Sequence, residues 1–138
     1  MTNAQMTLRE YFQNVKGIGV LATADAGGRV NAALYAKPHF WDENDDRTVV
    51  FIMSDRSSHD NIRVNPSAAY LFIEETAGYV GRRLSLTRIK EETDAEKIQA
   101  VRRRDLPSQC EDQTTKFLVY FRVDGVRPLV GVDSAATA

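Results

Sequence analysis

The sequence predicts a mainly β fold: a β-barrel of six antiparallel strands with short helices. Three observations predict it. Six apolar runs, rich in β-branched and aromatic residues, are short enough to be strands. The connections between most of them are too short for the crossovers a parallel sheet needs. A closed or nearly closed barrel also removes the exposed edges that so many short strands create. The chain has 138 residues, 43% hydrophobic and 27% charged, which suits one soluble domain with a real core. That domain spans 1–138, with 1–6 and 133–138 expected to be flexible tails.

The elements follow in order. Thr7-Leu8-Arg9-Glu10 is a capping box. It opens a helix whose Leu8, Tyr11, Phe12 and Val15 share one face, and Gly17 and Gly19 end it. Ile18–Ala24 is the first strand, and Asp25-Ala26-Gly27-Gly28 its hairpin turn. Arg29–Phe40 is the second strand, interrupted or ended near Pro38. Asp42–Arg47 reads as a solvated acidic turn. Val49–Met53 is the third strand and Ala68–Ile73 the fourth. Thr76–Gly81 is a loop, and Leu84–Ile89 the fifth strand. Thr93-Asp94-Ala95-Glu96 is a second capping box, for a helix reaching about Arg104. Asp105–Thr115, with Pro107 and Cys110, reads as loop. Phe117–Val123 closes the set; its unbroken hydrophobicity predicts burial on both faces.

Composition narrows the function classes. A net charge of −1 gives no general pull toward nucleic acid or membrane. No apolar run approaches the ~20 residues of a membrane span. The start, MTNAQMTLRE, lacks the basic-then-apolar order of a signal peptide. The single Cys110 forms no internal disulfide, so a cytoplasmic location is the default. It also makes a poor nucleophile, because Glu111 and Asp112 raise a thiol's pKa. His39 and His59 show no metal-ligand spacing, and no metal is expected. Arg102, Arg103 and Arg104 complement a helix C-terminus, without grouped aromatics beside them. GVLATADAGG is not the glycine arrangement of a dinucleotide-binding turn.

The chemistry concentrates between the third and fourth strands. SSHDNIRVNP makes one or two helical turns, with Ser57 or Ser58 as N-cap and Pro66 forbidding continuation past Asn65. Serines, His59, Arg56 and free backbone N–H groups then meet at one helix start, a site for a phosphate or another anion. An ordinary polar strand connection has the same composition.

The order of features from Thr48 to Glu75 is an apolar strand, a Ser-rich turn with a basic residue, Asn-Ile, Asn-Pro and a second apolar strand. It resembles the FMN-binding split barrel of the pyridoxamine 5′-phosphate oxidase-like superfamily. GVLATADAGGRVNAALY is similar to that family's opening hairpin. The resemblance covers roughly Leu8 to Asp124 and implies FMN as cofactor, a C2 homodimer with two shared ligand sites, and a small-molecule substrate. It implies no catalytic side chain, since the hydride chemistry belongs to the flavin. Tyr79, Leu86, Phe117 and Tyr120 are the expected interface residues.

By the same resemblance, Leu34, Tyr35, Ala36, Ile52 and Met53 lie along the flavin ring, and Ser54 is a further cofactor-binding residue. Ser57, Ser58 and His59, beside Arg56, hold the phosphate. Two departures stand out. His59 occupies the place of a usual lysine or arginine, and Ala33 that of an arginine on the second strand. Lys37, Arg82 and Arg83 are the candidates to compensate. The end, RPLVGVDSAATA, offers only Arg127, so the chain departs from true pyridoxamine 5′-phosphate oxidases. The expected function is FMN-dependent oxidoreduction of a small substrate. The alternative is a non-catalytic or redox-responsive protein that binds flavin, deazaflavin or haem.

Overall fold

Six strands form one antiparallel sheet in the computed structural model, which describes residues 6–76, 78–105 and 116–131. The expectations for the extreme chain ends, for Pro107 and Cys110, and for the side chains of Arg102, Arg103 and Arg104 lie outside the described residues. The elements are α1 (Leu8–Asn14), β1 (Gly17–Ala24), β2 (Val30–Tyr35), β3 (Thr48–Ser54), α2 (Ser57–Val64), β4 (Ser67–Glu74), β5 (Gly81–Glu92), α3 (Ala95–Asp105) and β6 (Lys116–Pro128). No described helix is long and apolar enough to cross a membrane.

The strand order is β2-β1-β4-β5-β6-β3, and every pairing is antiparallel. β5 is the spine. Its first half pairs with β4, and nearly its whole length pairs with β6. Register shifts between Ser85 and Leu86 and between Arg88 and Lys90 bend it, as bulges do, and curl the sheet into a half-barrel. The two edge strands, β2 and β3, approach without forming a ladder. One bridge spans them: His39 exchanges two backbone hydrogen bonds with Val50, at 2.9 and 2.8 Å. The barrel is therefore split between β2 and β3.

The core sits inside the curl. Tyr11 and Phe12 of α1 plug it, packing on Phe72 and Tyr70, with Leu8 and Val15 partly buried beside them. The capping box is present, with Thr7 Oγ1 accepting from Glu10 N and Glu10 Oε1 accepting from Thr7 N. Asp46 adds a second cap, accepting from the N–H groups of Leu8 and Arg9. The acidic turn is thus anchored to α1, beyond the solvated role expected of it. β6 is buried on both faces as predicted. Val119 and Phe121 enter the barrel, while Leu118 and Tyr120 pack outward with Val50 under Ile98 and Val101 of α3.

Several boundaries differ from the sequence reading. β2 ends at Tyr35, because the chain then leaves β1 and crosses toward β3 at His39. β5 extends to Glu92, since pairing with β6 overrides its polar end. Asp94, not Thr93, caps α3, accepting from Glu96 and Lys97 N–H. Arg56 is the N-cap residue of α2, without a side-chain cap bond, and both serines lie inside the helix.

The expected interface residues are mostly committed elsewhere. Leu86 is in the core, Tyr120 lies under α3, Phe117 stacks on His59, and only Tyr79 is exposed. A different apolar surface is open. Ile18, Val20, Val30 and Leu34, with Leu71 and Ile73, alternate onto the outer face of β1, β2 and β4. Leu34 is 75% exposed and Val30 76%.

Candidate functional site

A slot opens at the split. Tyr35, Ala36, Lys37 and His39 form one wall, Phe51, Ile52 and Ser54 the other, and Lys116 closes one end. Its volume is about 200 Å³. The walls are largely aromatic and aliphatic, and Lys37 and Lys116 add two cationic side chains to the lining.

The shape of the first wall traces back to a glycine. Tyr70 is fully buried, and its hydroxyl lies within hydrogen-bonding reach of the carbonyls of Tyr35 and Ala36, at 3.2 and 3.0 Å. That hydroxyl fits only because residue 19 has no side chain; a Cβ there would stand 1.9 Å from it. Gly19 and Tyr70 together hold the backbone where β2 leaves the sheet. Tyr35 packs edge-on against Phe51 at 5.9 Å. Burial raises its phenol pKa, against opposing effects of the Ser58 hydroxyl and the Arg56 charge. The phenol stays neutral and polar at the slot's inner edge.

Lys37 donates to the Val15 carbonyl at 3.0 Å, which ties β2's end to the C-terminus of α1. Lys116 donates to Ser54 Oγ at 2.9 Å, across the β3–β6 register that pairs these two residues.

The start of α2 lies next to the slot through Tyr35 and Ser58. Ser58 is buried and accepts from Asn31 Nδ2 at 3.2 Å. His59 is fully buried. Its ring stacks on Phe117 at 3.8 Å, and Nε2 meets Glu91 Oε1 at 3.0 Å. The sequence reading turned His59 toward an anion; the structure sets it beside a carboxylate.

The structure thus gathers Tyr35, Ala36, Lys37, Ile52 and Ser54 into one slot, with Arg56, Ser57, Ser58 and His59 at the adjoining helix start. It does not bring in the others. Met53 is in the core, and Leu34 is on the outer face. Arg82 lies 4.2 Å over the Tyr11 ring, and Arg83 donates to the carbonyls of Pro128 and Gly131. Sequence reasoning missed Lys116. A lysine ahead of an apolar strand reads as a solvated strand end, and only the long-range pairing of β3 with β6 places it here.

Comparison with solved structures settles the fold. An FMN-binding protein from Syntrophomonas wolfei superposes with a TM-score of 0.68 at 13% identity, covering 91% of this chain and 86% of that one. The fold is the split barrel. An F420 reductase superposes at 0.64 and 17% identity, covering 87% and 92%. A heme binding protein from Mycobacterium smegmatis gives 0.61 and 16%, covering 88% of this chain and 52% of that one. No protein-family model and no curated protein matches the sequence. One split-barrel architecture therefore serves proteins described by three different ligands.

Proposed function

We propose that this chain binds FMN in the slot and acts, as a homodimer, as an FMN-dependent oxidoreductase on a small substrate. The observation that supports this reading most is the convergence of Tyr35, Ala36, Lys37, Ile52 and Ser54 with Lys116 at the split. The donor set fits the group. Tyr35, Phe51 and Ile52 suit a flat apolar ring, and Ser54 Oγ and backbone carbonyls suit its polar edge. For the phosphate, Arg56, Ser57 and Lys116 supply charge and donors beside the N–H groups that open α2. Ser58 and His59 stand one layer further in, so they support that end more than they line it.

Bound FMN would supply the hydride chemistry. The protein's own work is to hold and orient the ring, to shield it from water, and to neutralise the phosphate.

The dimer belongs to the same reading. A slot of about 200 Å³ falls below the 300–1,000 Å³ usual for cofactor sites. The open apolar face of β1, β2 and β4 offers a second copy a surface to cover, and that copy would supply the missing wall. A visible spectrum of the purified chain, alone and with added FMN, tests the cofactor. NADH or NADPH oxidation then tests turnover. A bound-flavin spectrum with turnover is the expected result, and absence of flavin binding at micromolar FMN refutes the reading. Flavin without turnover indicates a carrier. The likeness to a heme binding protein supports a second reading, haem in the same slot, which an intense Soret band would reveal.

A further inference from the structure

His59 carries an unsatisfied nitrogen. The residue is fully buried, Nε2 faces Glu91 Oε1, and Nδ1 has no hydrogen-bond partner among the described residues. In a neutral imidazole, a carboxylate on Nε2 favours the proton there, and Nδ1 then carries a lone pair without a donor. A buried acceptor of this kind is costly unless something fills it. Two exposed carboxylates stand beside the imidazole. The ligating atoms of Asp55, His59 and Asp60 lie within 4.8 Å of one another.

We propose that Asp55, His59 and Asp60 bind a divalent cation of the zinc class, with Glu91 positioning the imidazole. One nitrogen and two carboxylates are a donor set for borderline divalent ions. The arrangement of Glu91 on the far ring nitrogen is the carboxylate–histidine–metal relay, which fixes the tautomer and strengthens the ligand. The two aspartates sit at the protein surface, so small side-chain movements bring their oxygens to the ~2 Å of a metal–ligand bond. Arg88 Nη2 also contacts Glu91 Oε1, at 3.5 Å, and holds that carboxylate from a second side. Phe117, stacked on the ring, prevents it from rotating away. The site accounts for a histidine where the resemblance leads one to expect a lysine. Asp55 follows Ser54, the acceptor of Lys116, and His59 and Asp60 stand in the first turn of α2, so the cation sits beside the phosphate end proposed for the slot.

The test is calorimetric titration of the untagged, chelator-treated full chain with zinc chloride. One site per chain is expected. Asp55→Asn with Asp60→Asn alters only exposed side chains and should weaken zinc more than about 100-fold while leaving the circular dichroism spectrum unchanged. His59→Gln can keep a donor toward Glu91 while deleting Nδ1, and should abolish the site. Glu91→Gln should weaken it about 10–100-fold, as loss of a supporting carboxylate does. Absence of zinc binding up to millimolar concentration overturns the proposal. So does undiminished binding in the Asp55→Asn, Asp60→Asn chain, or binding lost in Cys110→Ser instead.

Discussion

Gly19→Ala tests the link between packing and slot. The new Cβ would lie 1.9 Å from the Tyr70 hydroxyl and 2.3 Å from Cζ, where ordinary contact begins at 3.4 Å. Tyr70 is fully buried between Phe51, Phe12 and Phe72, so it has no room to retreat by the missing 1.5 Å or so. Overpacking of this kind costs about 1–3 kcal/mol. Displacing the hydroxyl from the Tyr35 and Ala36 carbonyls adds about 1 kcal/mol for the lost bonds. The expected total is about 2–4 kcal/mol, read as a lower midpoint in urea unfolding followed by circular dichroism. Gly125→Ala is the control, since the methyl it adds meets nothing within 4 Å, and it should be neutral or slightly stabilising. Tyr70→Phe in the Gly19→Ala background should recover part of the loss by removing the closest atom. If Gly19→Ala unfolds within about 0.5 kcal/mol of the wild type, the Gly19–Tyr70 contact and the slot wall built on it are refuted.

Other outcomes follow from the same structure. Burial raises the phenol pKa values of Tyr11, Tyr35 and Tyr70 above 10, so the folded chain keeps protons that the unfolded chain releases in alkali. The folded state then holds more protons, and stability must fall as pH rises past 10. The limit is about 4 kcal/mol per pH unit if all three titrate only on unfolding, and Tyr70→Phe should reduce the slope. A flat urea midpoint between pH 9.5 and 11 contradicts this. The apolar face of β1, β2 and β4 predicts a dimer by light scattering, converted to monomer by Leu34→Lys with Ile18→Lys. A wild-type monomer at micromolar concentration removes the shared site. Asp46→Ala should cost about 1–2 kcal/mol by uncapping α1, measured by thermal unfolding.

What the sequence made legible was local. The capping box at Thr7 and Glu10, the Asp25–Gly28 turn and the two-faced burial of β6 each rest on neighbouring residues, and each is found. The elements that were misjudged depend on distant partners. β5 runs to Glu92 because β6 offers it a ladder, and β2 stops at Tyr35 because the chain turns to meet Val50. The α2 serines look like caps, yet Ser58 is drawn inward by Asn31 and Tyr35. The site divides the same way. Tyr35, Ala36, Lys37, Ile52 and Ser54 are marked through the family resemblance, since their own pattern reads as simple barrel packing. Lys116 reaches the slot only through a pairing across 62 residues, and Glu91 reaches His59 across 32. No local pattern carries either contact.

We propose FMN in the slot at the split, with Lys116 and Arg56 at its phosphate end. Titration of FMN into the chain, followed by quenching of flavin fluorescence, decides this. The wild type should bind one FMN per chain. Lys116→Ala and Arg56→Ala should each weaken binding by about 1.5–3 kcal/mol, the scale of a hydrogen bond to a charged group. Lys97→Ala, on α3 beside Glu92, should change nothing. Equal FMN affinity in the wild type, Lys116→Ala and Arg56→Ala, or no FMN binding by the wild type, would rule out FMN at this site.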